Sequence, residues 1–308
     1  MDNKKVLVIG SLNMDMTVKV DKLPKEGETV FGYEYYESCG GKGGNQAVAI
    51  SRMEVCTEML GMIGNDSYGR KLIDNLKKYG IACENVAVNE NSVTGRAVIT
   101  VDSKGRNNIV VIPGSNFEIT VQDIKERNES IRRNNIVVLQ NEIPMEVTEY
   151  ILKKSKKMNK MTVYNPAPAK MIDKEMAKNI DYLVLNETEM EEIFKISISD
   201  EGYKDKILKI KQENNIKNII LTLGEKGSIL FNEEDKISEF DAYKVSAVDT
   251  TAAGDSFLGG FIAEISKGKK TDEAIRYATA VSAITVTRKG AQDSIPSRDE
   301  VEIFLKSY

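Results

Sequence analysis

Histidine is absent from all 308 residues. That removes Ser-His-Asp and Cys-His catalysis, His-ligated zinc and imidazole general bases. Acid–base chemistry is left to carboxylates, Lys, Tyr or Cys. Cysteine is scarce as well. Cys39, Cys56 and Cys83 are odd in number and lack metal-type spacing. Reduced thiols in a cytoplasmic protein are the expectation. No apolar run reaches the length of a membrane span, so no membrane partner is expected. Met1–Lys5 leads straight into Val6–Ile9, a run too short for a signal-peptide core. Counts of 43 basic and 47 acidic residues give a net charge of −4, which argues against nucleic acid as a partner. Two nucleotide fingerprints are missing too. The chain has no GxxxxGKS or GxxxxGKT, and Gln46 stands where a GxGxxG would need its last glycine. A dinucleotide-dependent dehydrogenase is therefore disfavoured.

What is present fits an ordinary globular chain with a large core: 41% hydrophobic and 29% charged residues. Val6–Gly10 reads as a buried first strand. Further short apolar runs fall at Ile136–Leu139, Met161–Tyr164, Tyr182–Leu185 and Ile219–Leu223. Amphipathic stretches of helical length separate them, at Tyr68–Tyr79, Thr120–Asn134, Met145–Met158 and Tyr203–Asn214. Strands alternating with helices predict an α/β fold with a central, mainly parallel sheet flanked by helices. Met14–Val20, Thr29–Tyr36, Arg96–Val101 and Asn108–Ile112 instead alternate in the period of two, the last pair around the turn Asp102–Gly105. They predict a small separate sheet acting as a lid. Its open edges and apolar face would favour a second copy of the chain.

Five segments could carry chemistry. Asp249-Thr250-Thr251-Ala252-Ala253-Gly254-Asp255 opens a helix whose apolar face is Phe257, Phe261, Ile262 and Ile265. Free N–H groups at Ala252, Ala253 and Gly254 would accept an anion, and Asp255 would set a proton acceptor beside it. Phosphoryl transfer to a hydroxyl needs that pairing. A bare helix cap would explain Asp255 alone. Gly40-Gly41-Lys42-Gly43-Gly44-Asn45 precedes a helix expected from Gln46, either as a flexible turn or as a close approach to a ligand. Asn13 and Asp15 follow the first strand at its carboxyl end, where α/β sheets bind ligands, and point the same way. They suit the adjacent hydroxyls of a sugar, though turn chemistry would also place them there. Asn186-Glu187-Thr188-Glu189 reads as a capping box. Its place beyond a strand leaves a nucleotide or Mg²⁺ role open. Thr222-Leu223-Gly224-Glu225-Lys226-Gly227 is a β-turn or a loop over phosphates.

Together these segments resemble the pfkB-type carbohydrate kinase family along nearly the whole chain. Gly40–Asn45 is similar to the family's first signature and Asp249–Phe257 to its second. Gly10-Ser11-Leu12-Asn13-Met14-Asp15 resembles the N-terminal sugar motif of its ribose-phosphorylating members, and Thr287–Gln292 their C-terminal stretch. The resemblance implies one ribokinase-like α/β domain over 1–308, with a lid built from about 14–37 and 95–112. It implies ATP-dependent phosphorylation of D-ribose at O5, with Asp255 as general base and the amides of Ala252, Ala253 and Gly254 as the anion hole. Asn13, Met14, Asp15, Gly41, Lys42, Gly43, Gly44, Asn45 and Glu142 would hold the sugar. Asn186, the loop Thr222–Gly227 (with Leu223, Gly224, Glu225 and Lys226), Gly254 and Thr279 would line the nucleotide site. Asp249, Thr251, Thr285, Arg288, Gly290 and Ser294 would form a K⁺ site, and Glu189 would help organise Mg²⁺ through water. A cytoplasmic homodimer joined through the lid is also implied. Two positions depart from the family pattern: Gly44 stands where alanine is usual, and Thr251 where an apolar residue is common. A kinase for 2-deoxyribose, fructose, ribulose or a nucleoside stays open, as does a sugar sensor without catalysis.

Overall fold

The computed structural model describes residues 4–308. Residues 1–3, part of the unit expected over 1–308, lie outside the described residues. Among the described residues, thirteen strands fall into two sheets. The larger holds β1 (Val6–Ile9), β4 (Thr57–Gly64), β5 (Ala82–Asn89), β8 (Ile136–Leu139), β9 (Met161–Tyr164), β10 (Tyr182–Asn186), β11 (Asn218–Thr222), β12 (Ser228–Phe231) and β13 (Ile237–Phe240). The smaller holds β2 (Asn13–Val20), β3 (Gly32–Gly40), β6 (Gly95–Val101) and β7 (Asn107–Ile112). Eleven helices connect them: α1 (Lys42–Arg52), α2 (Ser67–Lys78), α3 (Val121–Glu126), α4 (Asn128–Arg133), α5 (Met145–Lys157), α6 (Lys174–Ala177), α7 (Glu187–Phe194), α8 (Tyr203–Glu213), α9 (Ala253–Ser266), α10 (Thr271–Thr285) and α11 (Arg298–Ser307).

The apolar run of β1 shows why the large sheet is covered on both faces. Side chains alternate along a strand. Val6 and Val8 enter one core, and Leu7 and Ile9 enter the other. The strand order is β13-β12-β11-β10-β9-β8-β1-β4-β5, with every strand parallel except β12, which pairs antiparallel with β11 and β13. Because β1 pairs with both β4 and β8, the order reverses there. The carboxyl end of β1 is thus a switch point, where α/β sheets open a crevice.

The small sheet has the order β3-β2-β6-β7 and is mixed, with β2 and β6 parallel. It forms the separate sheet expected, and two elements differ from expectation in extent. The strand expected at Thr29–Tyr36 runs from Gly32 to Gly40. The single helix expected over Thr120–Asn134 is two, broken at Arg127.

The glycine-rich segment differs more. The helix expected from Gln46 begins at Lys42, so Lys42–Asn45 is the first turn of α1 rather than a loop. Glycine lowers helix propensity, and packing overrides it here. Gly41 has φ 84°, and a Cβ there would lie 2.7 Å from the Asn13 nitrogen. A Cβ on Gly43 would lie 2.7 Å from the Gly10 carbonyl carbon and the Ser11 nitrogen. The first turn of α1 therefore lies directly on the chain leaving β1. Gly259 does the same for α9: a Cβ there would fall 2.3 Å from the Ala49 Cβ. Both helices can approach only because these side chains are missing.

Gly43 and Gly44 should consequently respond differently to alanine. A methyl on Gly43 meets fixed backbone and should cost about 1–3 kcal/mol. On Gly44 it meets the side-chain tips of Gln292 and Leu12 at 3.1 Å. There the helix propensity gained, up to about 1 kcal/mol, offsets the crowding. Denaturant midpoints of Gly43→Ala and Gly44→Ala check this; equal losses in both would contradict it.

Candidate active site

The base candidate sits where α9 begins. Ala252 takes the left-handed conformation, φ 59°, unusual for a residue with a Cβ. This turn sends the Ala253 N–H back to the Thr250 carbonyl at 3.2 Å. Ala253 therefore does not present a free amide, which narrows the expected anion hole. Among the described residues no acceptor meets the N–H of Ala252, Gly254 or Asp255 outside the helix. The space where a Gly254 side chain would stand is open. An open helix N-terminus suits an anion.

Asp255 is buried, and its carboxylate is not used as a cap. Its Oδ2 accepts from Asn45 Nδ2 at 3.0 Å and its Oδ1 from Gln46 Nε2 at 2.9 Å. Asn45 Oδ1 accepts in turn from Gln292 Nε2 at 3.1 Å. The α1–α9 contact at Gly259 makes these bonds possible.

Glu142, in the loop after β8, closes the N-terminus of α1. One oxygen accepts from the Lys42 N–H at 3.0 Å and from the Ser11 hydroxyl. Among the described residues its other oxygen accepts no hydrogen bond. Asp15 lies close by on β2, and its pKa is pushed up to about 7, first by burial and then by the charges of Glu142 and Asp255. Burial would lower the Lys42 ammonium, but Asp255, Glu142 and Glu189 together hold it above its usual value. The structure thus brings Asp15, Lys42, Glu142, Glu189 and Asp255 into one electrostatic neighbourhood. Asn13 is buried beside it, its Oδ1 accepting from Asn116 Nδ2 at 2.8 Å. Met14 is a correction: it is fully buried in the core under the sheet, so its side chain does not face this site. Strand alternation dictates this, since Asn13 and Asp15 occupy the other face.

The remaining expected residues fall into two groups. Asn186 and Glu189 form a complete capping box on α7, with bonds of 2.8 and 2.9 Å. Burial raises the Glu189 pKa, with the Asn186 N–H and Lys42 opposing. Gly224–Lys226 is a short 3₁₀ turn after β11, closed by Leu223 N–H to Gly227 O at 2.8 Å. Thr222 lies at the end of β11 and donates to the Leu185 carbonyl. Thr279, buried on α10, lines a 300 Å³ cavity with Phe240, Asp241, Tyr243 and Arg276. A 440 Å³ cavity at Lys156, Asp181 and Lys217 opens at the amino ends of β9–β11, away from all of these.

The second group joins the loop before α9 to the segment after α10. Asp249 accepts from the N–H groups of Thr251 and Gly290, both at 2.9 Å. Burial would raise its pKa, but these bonds outweigh that and keep it low. The Thr285 carbonyl accepts from Arg288 N–H, and the Arg288 guanidinium turns away to Glu300 at 2.7 Å. Ser294 Oγ donates to the Ala291 carbonyl.

Sequence reasoning missed Ser11, Gln46, Asn116, Gln140, Asn165 and Gln292. Gln140 and Asn165 directly follow β8 and β9, so the strand-end rule that marked Asn13 and Asp15 would also have found them.

With this geometry in view, similarity to known proteins is informative. The pfkB family carbohydrate kinase model matches residues 3–298, and the chain belongs to that family. The ribokinase of Haemophilus influenzae is 35% identical over 98% of this chain and 99% of its own. The crystal structure of ribokinase from Thermotoga maritima is 40% identical with a TM-score of 0.89, covering 98% of this chain and 99% of its own. Arabidopsis thaliana ribokinase complexed with ribose and ATP is 31% identical with a TM-score of 0.90, covering 98% of this chain and 99% of its own. The fold is ribokinase-like, and the chain is a carbohydrate kinase, a phosphotransferase.

A sugar held by Asp15 should bind in a pH-dependent way. Below about pH 7 this carboxyl is expected to keep its proton, so that it would accept fully from a hydroxyl only above that pH. The sugar KM should be about tenfold higher at pH 6 than at pH 8, with Glu142, Asp255 and Lys42 as the charged neighbours. Asp15→Asn should flatten the profile. A parent KM constant from pH 6 to 8 would contradict it.

Proposed function

We propose that this chain transfers the γ-phosphoryl group of ATP to O5 of D-ribose. The observation that carries this is a carboxylate, Asp255, held in the first turn of α9 beside the open amides of Ala252 and Gly254, with Asp15, Lys42 and Glu142 gathered near it. The ribose- and ATP-bound relative gives the substrates their identity.

The chemistry follows from the residues. The O5 hydroxyl gives its proton to Asp255 as the new O5–P bond forms and the bond from phosphorus to the β,γ-bridging oxygen breaks. Charge spreads over the three equatorial oxygens in flight. Fixed N–H dipoles of Ala252, Gly254 and Asp255 meet that charge without reorganising. Lys42 supplies a full positive charge on the same side. Asn13, Asp15, Gly41, Gly43, Gly44, Asn45 and Glu142 hold the sugar. Asn186, the Thr222–Gly227 loop and the Thr279 cavity take the nucleotide. The small sheet is a lid on a single ribokinase-like domain, and its closure would exclude water.

Two cations fit the donors present. Glu189, buried and beside Lys42, would hold Mg²⁺ through water. Bound there, that ion would neutralise phosphate charge. Asp249, kept ionised, and the backbone oxygens of Thr251, Thr285, Arg288, Gly290 and Ser294 make an all-oxygen set suited to a hard cation such as K⁺. Because Asp249 ties the loop before α9 to Gly290, K⁺ would order the anion hole rather than touch substrate.

Among the described residues, no helix is long and apolar enough to cross a membrane; a cytoplasmic place remains part of this proposal. So does a homodimer through the lid. All of Asn107–Ile112 is exposed on the edge strand β7, including Ile109, Val110 and Val111. An open apolar edge of this kind favours pairing with a second copy.

ADP formation with Mg²⁺ should be fastest on ribose among ribose, 2-deoxyribose, fructose, ribulose and adenosine, and faster in K⁺ than in Na⁺. Asp255→Asn should fold and lose about 10²–10⁴-fold in kcat. Near-normal turnover by that variant removes the base; preference for another substrate overturns the pocket; equal rates in both salts remove the K⁺ site. Light scattering should give a dimer for the parent and a monomer for Val110→Asp. A monomeric parent would sink the dimer.

A further inference from the structure

Asp255 poses a mechanical problem. The terminal torsion of an aspartate is broad, so a carboxylate does not hold its plane unless its surroundings do. A base that must meet one hydroxyl needs that plane fixed. Each of its oxygens accepts from a different amide, and the two amides are neighbours on α1. Asn45 lies near the sugar side. Gln46 is wholly buried and cannot meet substrate.

The Gln46 amide is itself held at both ends. Its Nε2 donates to Asp255 Oδ1 at 2.9 Å and to Asn165 Oδ1 at 3.2 Å. Its Oε1 accepts from Gln140 Nε2 at 2.6 Å. Asn165 cannot turn around, because its Nδ2 donates to the Val184 carbonyl at 2.9 Å, and a carbonyl only accepts. Reversing Gln46 would set its oxygen against two acceptors, Asp255 Oδ1 and Asn165 Oδ1. Only one orientation is satisfied, and in it an N–H points at the carboxylate. The direction is thus passed from strand β10, through Asn165 after β9 and Gln46 on α1, to Asp255 on α9. A carboxylate has about four lone-pair sites, so Oδ1 and Oδ2 both keep room for a hydroxyl.

We propose that Gln46 is a positioning residue for phosphoryl transfer, which fixes the Asp255 carboxylate from a place no substrate reaches. This rests on the reading of Asp255 as the base. Gln46→Met keeps length and removes the N–H. Its kcat on ribose should fall about ten- to a hundredfold, the penalty of a misplaced catalytic group. KM for ribose and ATP should stay within about twofold of the parent. In an Asp255→Asn background, Gln46→Met should cost nothing further, because the group it positions is gone. A parent-like kcat for Gln46→Met, or an equal loss in both backgrounds, would overturn the proposal. If circular dichroism finds Gln46→Met unfolded, Gln46→Glu gives the same test. It keeps the shape and the Gln140 bond but turns an oxygen toward Asp255. An active Asp255→Asn would remove the base reading; an inactive Asp255→Asn beside a normal Gln46→Met would remove only the positioning role.

Discussion

The close approach of α1 and α9 is the constraint on which the site depends. Two helix N-termini arrive at the carboxyl end of β1, and each brings unpaired N–H groups and a positive dipole end. They are treated differently. At α1 the protein supplies its own anion: Glu142 accepts from the Lys42 N–H. At α9 no side chain caps the helix, and Ala252 in its left-handed turn leaves the next amides open. One terminus is satisfied and the other is left open. Missing side chains set this geometry, since Gly43 lets α1 rest on the chain leaving β1 and Gly259 lets α9 rest on Ala49.

That proximity crowds acidic groups. Asp15, Glu142, Glu189 and Asp255 share one neighbourhood with Lys42 as the single cation among them. The pKa of about 7 at Asp15 measures the crowding, because burial and two neighbouring carboxylates all resist its ionisation. Lys42 feels the opposite pull and stays protonated against its own burial. A site this acidic repels a polyphosphate unless donors are fixed in advance. On the function proposed above, the open amides of α9 and Lys42 would answer that need.

Much of this was legible in the chain. Period-two alternation separated the lid strands from the buried runs of the main sheet, and the strand-end rule marked Asn13, Asp15 and Asn186. Local pattern failed where packing decides. Lys42–Asn45 reads as a loop because glycine disfavours helix, yet a helix with a side chain at position 43 could not fit there. Met14 lay inside a sugar motif but alternates into the core. Gln292 meets Asn45 across 247 positions, and no local window contains both. The amides around Asp255 come from α1, from the ends of β8 and β9, and from the stretch after α10.

This dispersal has a mechanical meaning. A carboxylate braced from a single helix would shift whenever that helix moved. Asp255 is braced by α1, and through Gln46 and Asn165 by the Val184 carbonyl on a central strand of the nine-stranded sheet. The lid attaches elsewhere: Asp66 at the start of α2 accepts from the Thr94 hydroxyl at 2.6 Å and its N–H at 3.0 Å, just before β6. Asp255 is tied to the large sheet, and the small sheet is tied to its rim. Asp15 and Asn13 cross between the two, carried on β2 into the site. On the function proposed above, lid closure and sugar recognition would therefore be coupled through one strand, while the proton acceptor would stay with the large sheet.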